Sequence, residues 1–87
     1  MDDKQQTALI ALLAASEASS LYGGAGWTRA MELPVPKDVR CVKNMHSLVE
    51  LGYADAHKGD RRKQVQWLYR VTIRGRIEAE KLLNQLL

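Results

Sequence analysis

Cationic and amide side chains recur at helical spacing in the middle of the sequence. Between residues 36 and 51, the apolar positions fall on one stripe that a core would bury: Val39, Val42, Met45, Leu48 and Val49. Helical geometry then places a strip of hydrogen-bond donors on the outward side: Lys37, Arg40, Lys43, Asn44 and Ser47. Such side chains bond guanine, adenine or phosphate, so the strip suits nucleic acid. Any solvated helix face also carries Lys and Arg, which leaves a purely structural alternative open.

Further cations cluster near a glycine and an aspartate: Lys58, Arg61, Arg62 and Lys63. Gly59 permits a turn, so residues 58–63 are predicted to form the polar tip of a hairpin whose cations approach phosphates. A solvated hairpin end is the alternative. Thr28 and Arg29 are also candidates, because the start of a helix offers free N–H groups to a phosphate. Capping alone would explain Thr28.

Catalytic chemistry is not indicated. The scattered Asp55, His57 and Asp60 provide neither a nucleophile with its base nor a paired carboxylate site. One cysteine and two histidines do not form a spaced metal-ligand set. We therefore expect a protein that is not an enzyme and uses no cofactor or metal.

Glycine, proline and capping residues divide the first half of the chain into short elements. Residues 3–20 favour a first helix, and Thr28 can cap a short second helix that ends at Leu33. A third helix is predicted over residues 36–51, with Gly52 as its C-terminal stop.

After the third helix, the period of the pattern changes. Residues 53–57 can run extended, and a second strand carries apolar residues on alternate positions: Val65, Trp67, Tyr69 and Val71. Thr72 offers an N-cap for a last helix over residues 73–87, in which Gly75 is a weak position. The sequence therefore predicts one α+β domain over residues 1–87, mostly α, with about four helices and a β unit of two or three strands.

Three segments resemble parts of winged helix-turn-helix regulators. Residues 47–53 look like the end of a recognition helix that runs into the wing. Asp60-Arg61-Arg62 resembles the acidic-arginine wing of MarR-like proteins, and residues 71–75 resemble the exit from the wing in MarR-like and PadR-like proteins. The resemblance implies a winged-helix fold, with the helix over residues 36–51 in the major groove and the wing over residues 58–63 on the backbone or in the minor groove.

The charge distribution agrees with a polyanionic partner. The chain has a formal net charge of +3, yet residues 28–76 alone carry eleven Lys and Arg against five Asp and Glu. The apolar stretch at residues 8–15 is too short to span a membrane, and the acidic start lacks the positive region of a secretory signal. We therefore expect a cytoplasmic regulator of transcription that binds double-stranded DNA.

The alternative is a winged-helix module for protein interaction or assembly, in a phage, replication or secretion context, without sequence-specific DNA binding. Two observations support this alternative: the modest total charge and the apolar residues at the end of the chain. The last helix holds more leucines than one packing face requires: Leu82, Leu83, Leu86 and Leu87. We expect a homodimer through this helix, although the leucines could instead close a small core. No motif identifies a small-molecule effector.

Overall fold

The computed structural model describes residues 1–21, 25–61 and 64–86, with the backbone alone at residues 60, 61, 64, 65 and 86. Within these ranges the chain forms an α+β fold that is mostly helical. Its elements are α1 (Asp3–Leu21), β1 (Thr28–Arg29), a 3₁₀ turn (Ala30–Glu32), α2 (Val42–Glu50), β2 (Ala54–Arg61), β3 (Gln64–Val71) and α3 (Ile73–Leu86). The strands form one antiparallel sheet in the order β1-β3-β2. Among the described residues, no helix combines the length and the apolar character that a membrane crossing requires.

The first helix matches its prediction and begins with reciprocal capping bonds. The Asp2 carboxylate accepts from the Gln5 N–H at 2.8 Å, and the Gln5 side-chain oxygen accepts from the Asp2 N–H at 3.1 Å. These bonds satisfy donors that the start of a helix leaves free. The buried face of α1 packs on α2, α3 and β3 to form the core, which includes Leu9, Leu12 and Tyr69.

The predicted second helix over residues 28–33 is wrong. Thr28 does not cap a helix: it lies in β1, buried and paired with Tyr69 of β3. Only Ala30–Glu32 turn helically, in a 3₁₀ conformation, so the described residues contain three α-helices and not four. Pairing with β3 satisfies backbone groups of β1, and the β-branched side chain of Thr28 suits a strand.

The predicted third helix starts six residues late, at Val42 instead of Pro36. The preceding residues form a single turn in which the N–H groups of Val39 and Arg40 both bond the carbonyl of Pro36. The side-chain amide of Asn44 donates to the carbonyls of Asp38 and Val39, each at 3.1 Å. Those carbonyls would otherwise serve a longer helix, so Asn44 stabilises the turn in place of helical bonds.

The end of α2 is as predicted. Gly52 has φ +82°, which is the left-handed region that glycine adopts without strain. The N–H of Gly52 bonds the carbonyl of Val49, and the N–H of Tyr53 bonds the carbonyl of Leu48. This pair of bonds is a Schellman motif, which satisfies the last carbonyls of the helix and directs the chain into β2.

The hairpin is longer than predicted. Residues 58–61, predicted to belong to a polar tip over residues 58–63, are instead part of β2, because the strands stay paired out to Arg61 and Gln64. Residues 62 and 63 lie outside the described residues. Tyr69 and Val71 face the core as predicted, and Trp67 on the same face is half-buried. The hairpin therefore carries Lys58 on a regular strand and not on a loop.

The last helix starts as predicted. The Thr72 hydroxyl accepts from the Gly75 N–H at 2.9 Å, which makes Thr72 the N-cap of α3. Ala79 and Leu82 are buried against the rest of the core.

Candidate nucleic-acid interface

Contacts between His46 and two aromatic residues join α2 to the hairpin. The His46 ring meets Trp67 edge-on, with 4.7 Å between ring centroids, and its Nδ1 lies 3.4 Å from the Tyr69 hydroxyl. Burial raises the pKa of Tyr69 because the phenolate would lose its hydration, so the hydroxyl stays protonated at neutral pH. These contacts fix the angle at which α2 stands beside β3.

The solvent-facing side of α2 carries one cation, one hydroxyl and one carboxylate. Lys43, Ser47 and Glu50 follow each other at spacings of four and three residues, which places them on one side of the helix. Lys43 and Glu50 are exposed, and the Ser47 hydroxyl donates to the carbonyl of Lys43 at 2.9 Å. Glu50 is not among the sequence-based candidates, which are all hydrogen-bond donors or cations, although its spacing of seven residues from Lys43 places it on the same side of the helix.

Lys58 brings a second cation to the same region. It lies opposite Trp67 in the hairpin register, and its ammonium is 6.0 Å from the centroid of the Trp67 ring. Within the described residues, neither Lys43 nor Lys58 forms an ion pair. The side chain of Arg61 and all of Arg62 and Lys63, the other hairpin candidates, lie outside the described residues.

Glu32 contacts both predicted binding residues of β1. The Thr28 hydroxyl donates to one Glu32 oxygen at 3.3 Å, and the Arg29 guanidinium contacts the other at 2.8 Å. Thr28 is also buried, so it offers little to a ligand. Arg29 is half-buried and would have to leave its partner to meet a phosphate.

Two more of the predicted binding residues form hydrogen bonds within and beside the turn before α2. The guanidinium of Arg40 donates to the carbonyl of Met31, and Asn44 bonds the carbonyls of the turn. Lys37 in this turn is exposed. In the predicted helix strip, Lys37 and Lys43 are thus exposed and Ser47 is half-buried. The other two members, Arg40 and Asn44, form hydrogen bonds that stabilise the turn before α2.

A separate cluster occupies the opposite face of the sheet. The Arg70 guanidinium lies 4.4 Å from the centroid of the Trp27 ring and 3.7 Å from the Asp55 carboxylate. Gly26, with φ +86°, packs closely enough that an added Cβ would be 3.1 Å from Arg70 Cδ. Arg70 therefore anchors the start of β1 to the hairpin.

The leucines of the predicted dimer contact have different environments. Leu82 is buried in the core of its own chain, and Leu83 is 38% exposed. The side chain of Leu86 and all of Leu87 lie outside the described residues. Among the described side chains of α3, the most exposed apolar ones are Ile73 and Ile77 instead.

Comparisons with protein-family models, curated proteins and solved structures give no significant match for this sequence.

Proposed function

We propose that this protein regulates transcription by binding double-stranded DNA, with α2 toward the major groove and the hairpin along the backbone or minor groove. The order of elements and the sheet order β1-β3-β2 are compatible with a winged-helix arrangement, which supports the proposal. An α-helix fits the width of the major groove, and eight-residue strands reach about 26 Å, enough to extend beyond the helices.

The observation that carries the proposal is the contact between α2 and the hairpin, each of which carries an exposed lysine. Lys43 is one turn away from His46, and His46 contacts Trp67, beside which Lys58 lies. Neither ammonium group has an acidic partner among the described residues, and we infer that both face the same DNA backbone. Three further basic residues follow in sequence at the end of the hairpin. Phosphate neutralisation by such groups supplies most of the affinity of DNA-binding proteins.

The contacts suggest a division of roles. Lys37, Lys43 and Lys58 bind phosphates, because each is an exposed point charge. Ser47 and Glu50 lie farther along α2 and read base edges, where a carboxylate accepts from cytosine N4. Arg40 and Asn44 act indirectly, by holding the turn that sets where α2 begins.

Selection of bound duplexes from a random pool tests the proposal. We expect enrichment of a short consensus by the unmodified protein and loss of enrichment when Lys43→Ala and Lys58→Ala are combined. Lys81→Ala, which removes an exposed cation on α3, is the matched control and should enrich the same consensus. No retention of any duplex at low salt would contradict DNA binding.

The homodimer is a separate proposal. The exposed Ile73, Ile77 and Leu83 give α3 an apolar surface that a second copy could cover. Sedimentation equilibrium should give twice the 9.8 kDa chain mass for the unmodified protein and a single chain mass for Ile77→Glu. A single chain mass at high concentration for the unmodified protein would contradict the dimer.

The alternative function, a winged-helix module for protein interaction, is supported by exposed apolar side chains next to α2. Met31 and Val42 are 69% and 55% exposed, although Val42 belongs to the stripe predicted to face the core. The prediction for Val42 is wrong because α2 begins at this residue, so no preceding helical turn covers it.

A further inference from the structure

His46 places a titratable group where α2 meets the hairpin. Its ring centroid lies 4.7 Å from that of Trp67, and its Nδ1 lies 3.4 Å from the Tyr69 hydroxyl. The residue is half-buried, so the imidazole is partly accessible to solvent. Histidine is the side chain whose ordinary titration falls between about pH 5 and 8. The charge at this junction therefore depends on pH in the physiological range.

The Tyr69 hydroxyl can bond the imidazole in either charge state. It donates to Nδ1 when that nitrogen carries a lone pair, and it accepts from Nδ1 when that nitrogen carries a proton. Burial raises the pKa of Tyr69, so the hydroxyl itself does not ionise at neutral pH. The contact between α2 and β3 can therefore be kept when His46 takes up a proton.

Two lysines lie near this imidazole, one on each of the two elements. Lys43 comes three residues before His46 on α2, which places the two residues one turn apart on neighbouring positions of the helix surface. The Lys58 ammonium is 6.0 Å from the centroid of the Trp67 ring that His46 contacts. A DNA phosphate bound by either lysine therefore brings a negative charge to within about one Debye length of the imidazole.

Other charged groups near His46 act on it with or without DNA. Glu50, four residues after His46 on α2, is an exposed carboxylate one turn away. On β1, Arg29 lines a groove together with Trp67, and its guanidinium is paired with Glu32. These groups belong to the protein itself, whereas a phosphate is present only in the complex. The phosphate is therefore the charge that distinguishes the bound protein from the free one.

We propose that His46 is a third cationic group of the DNA-binding surface, and that duplex binding is coupled to the uptake of a proton by its imidazole. The proposal rests on the proposed DNA binding and adds a pH dependence to it. A phosphate at Lys43 or Lys58 attracts an imidazolium more than a neutral imidazole, so the bound protein holds the proton more tightly. By linkage, protonation of His46 raises the affinity for the duplex by the same factor.

The sign of the pH dependence follows from this coupling. The gain in affinity is complete below the pH range in which the imidazole of the free protein titrates. It is lost as pH rises through the range in which the imidazole of the complex releases its proton. The protein should therefore bind DNA more tightly in mild acid.

Fluorescence anisotropy of a labelled duplex, at constant salt and at about pH 5.5 and about pH 8, tests the proposal. We expect the affinity of the unmodified protein to be about three- to tenfold higher at the lower pH, which is less than a direct ion pair would give. His46→Gln, whose amide stays neutral and can still bond the Tyr69 hydroxyl, should bring this ratio close to one. The ratio is taken within each variant, so a loss of affinity common to both pH values cancels.

His57→Gln is the matched control. His57 is an exposed histidine of β2 that contacts Trp27 on the opposite face of the sheet. Its replacement should leave the ratio of the two affinities as in the unmodified protein. A ratio that His46→Gln leaves unchanged, or that His57→Gln abolishes, would overturn the proposal while DNA binding itself would stand.

NMR titration of the imidazole ring signals supplies a second readout on the unmodified protein. A saturating duplex should move the titration of His46 to higher pH by more than that of His57. A His46 titration that the duplex does not move, or equal shifts of the two histidines, would overturn the coupling alone. No duplex binding at either pH, even at low salt, would overturn the coupling together with the proposed function.

Discussion

Gly75 at the start of α3 packs directly on the carbonyl of Tyr53. A Cβ at position 75 would overlap the Tyr53 oxygen and would lie 2.9 Å from Cγ2 of Val71. The same carbonyl accepts from the Thr72 N–H at 3.1 Å. The contact thus joins the end of α2, the end of β3 and the start of α3, and it requires a residue without a side chain.

Gly75→Ala should therefore destabilise the protein, although alanine is the better helix former by about 1 kcal/mol. We expect a loss of about 3 kcal/mol in the free energy of unfolding, measured in urea, because neither backbone can move aside without breaking its hydrogen bonds. Gly59→Ala is the control, since its Cβ would make ordinary contacts of 3.6 and 3.7 Å. A gain in stability for Gly75→Ala would contradict the close approach.

Ser16 on α1 should contribute to stability through one buried bond. Its hydroxyl accepts from the Val71 N–H at 3.2 Å, and Ser16 is 3% exposed. Ser16→Ala leaves that N–H buried without its partner, which should cost about 1–3 kcal/mol in urea unfolding. Thr7→Ala removes a hydroxyl that bonds Asp3 at the surface and should change stability by less than about 0.5 kcal/mol. Equal losses in the two variants would contradict this role of Ser16.

Tyr69 should make stability depend on alkaline pH. Burial raises its pKa in the folded protein, so the unfolded chain releases this proton first as pH rises. The resulting stability is complete below about pH 10, the ordinary tyrosine value, and is lost as pH rises through the higher pKa of the folded state. Urea unfolding between neutral and alkaline pH should show a smaller loss for Tyr69→Phe than for the unmodified protein. Tyr53→Phe, at a half-buried position, should retain the loss. Identical pH profiles for Tyr69→Phe and the unmodified protein would refute this expectation.

Glu50 should affect the DNA sequence that is selected more than the affinity. A carboxylate accepts from cytosine, whereas a glutamine amide pairs with adenine. Duplex selection with Glu50→Gln should therefore change the consensus at one base pair. Lys37→Ala, which removes a proposed phosphate contact, should weaken binding to all duplexes alike and keep the consensus. An unchanged consensus with Glu50→Gln would remove Glu50 from base readout.

Local signals were sufficient for the parts of the fold that depend on neighbouring residues. The first helix, the glycine stop at Gly52 and the Thr72 cap follow from short sequence patterns, and the structure confirms them. The alternation through Tyr69 and Val71 likewise predicts which face of β3 is buried.

Long-range contacts explain where the predictions are wrong. Thr28 joins a strand because Tyr69, far along the chain, pairs with it. The late start of α2 depends on the bond from Arg40 to Met31 and on the Asn44 amide, neither of which a helical pattern reveals. For the candidate interface, the sequence indicates the cations, but the contact of His46 with Trp67 that brings α2 beside the hairpin is visible only in three dimensions.

The salt dependence of duplex binding tests the central claim most directly. Fluorescence anisotropy of a labelled duplex should give a log-log plot of affinity against salt whose slope becomes shallower by about 0.9 for each phosphate contact removed. Lys43→Ala and Lys58→Ala should each make the slope shallower by about 0.9, and the double variant should make it shallower by about twice as much. Lys81→Ala, with the same loss of charge on α3, should leave it unchanged. Equal slopes for all four variants would contradict the proposal that α2 and the hairpin form one DNA-binding surface.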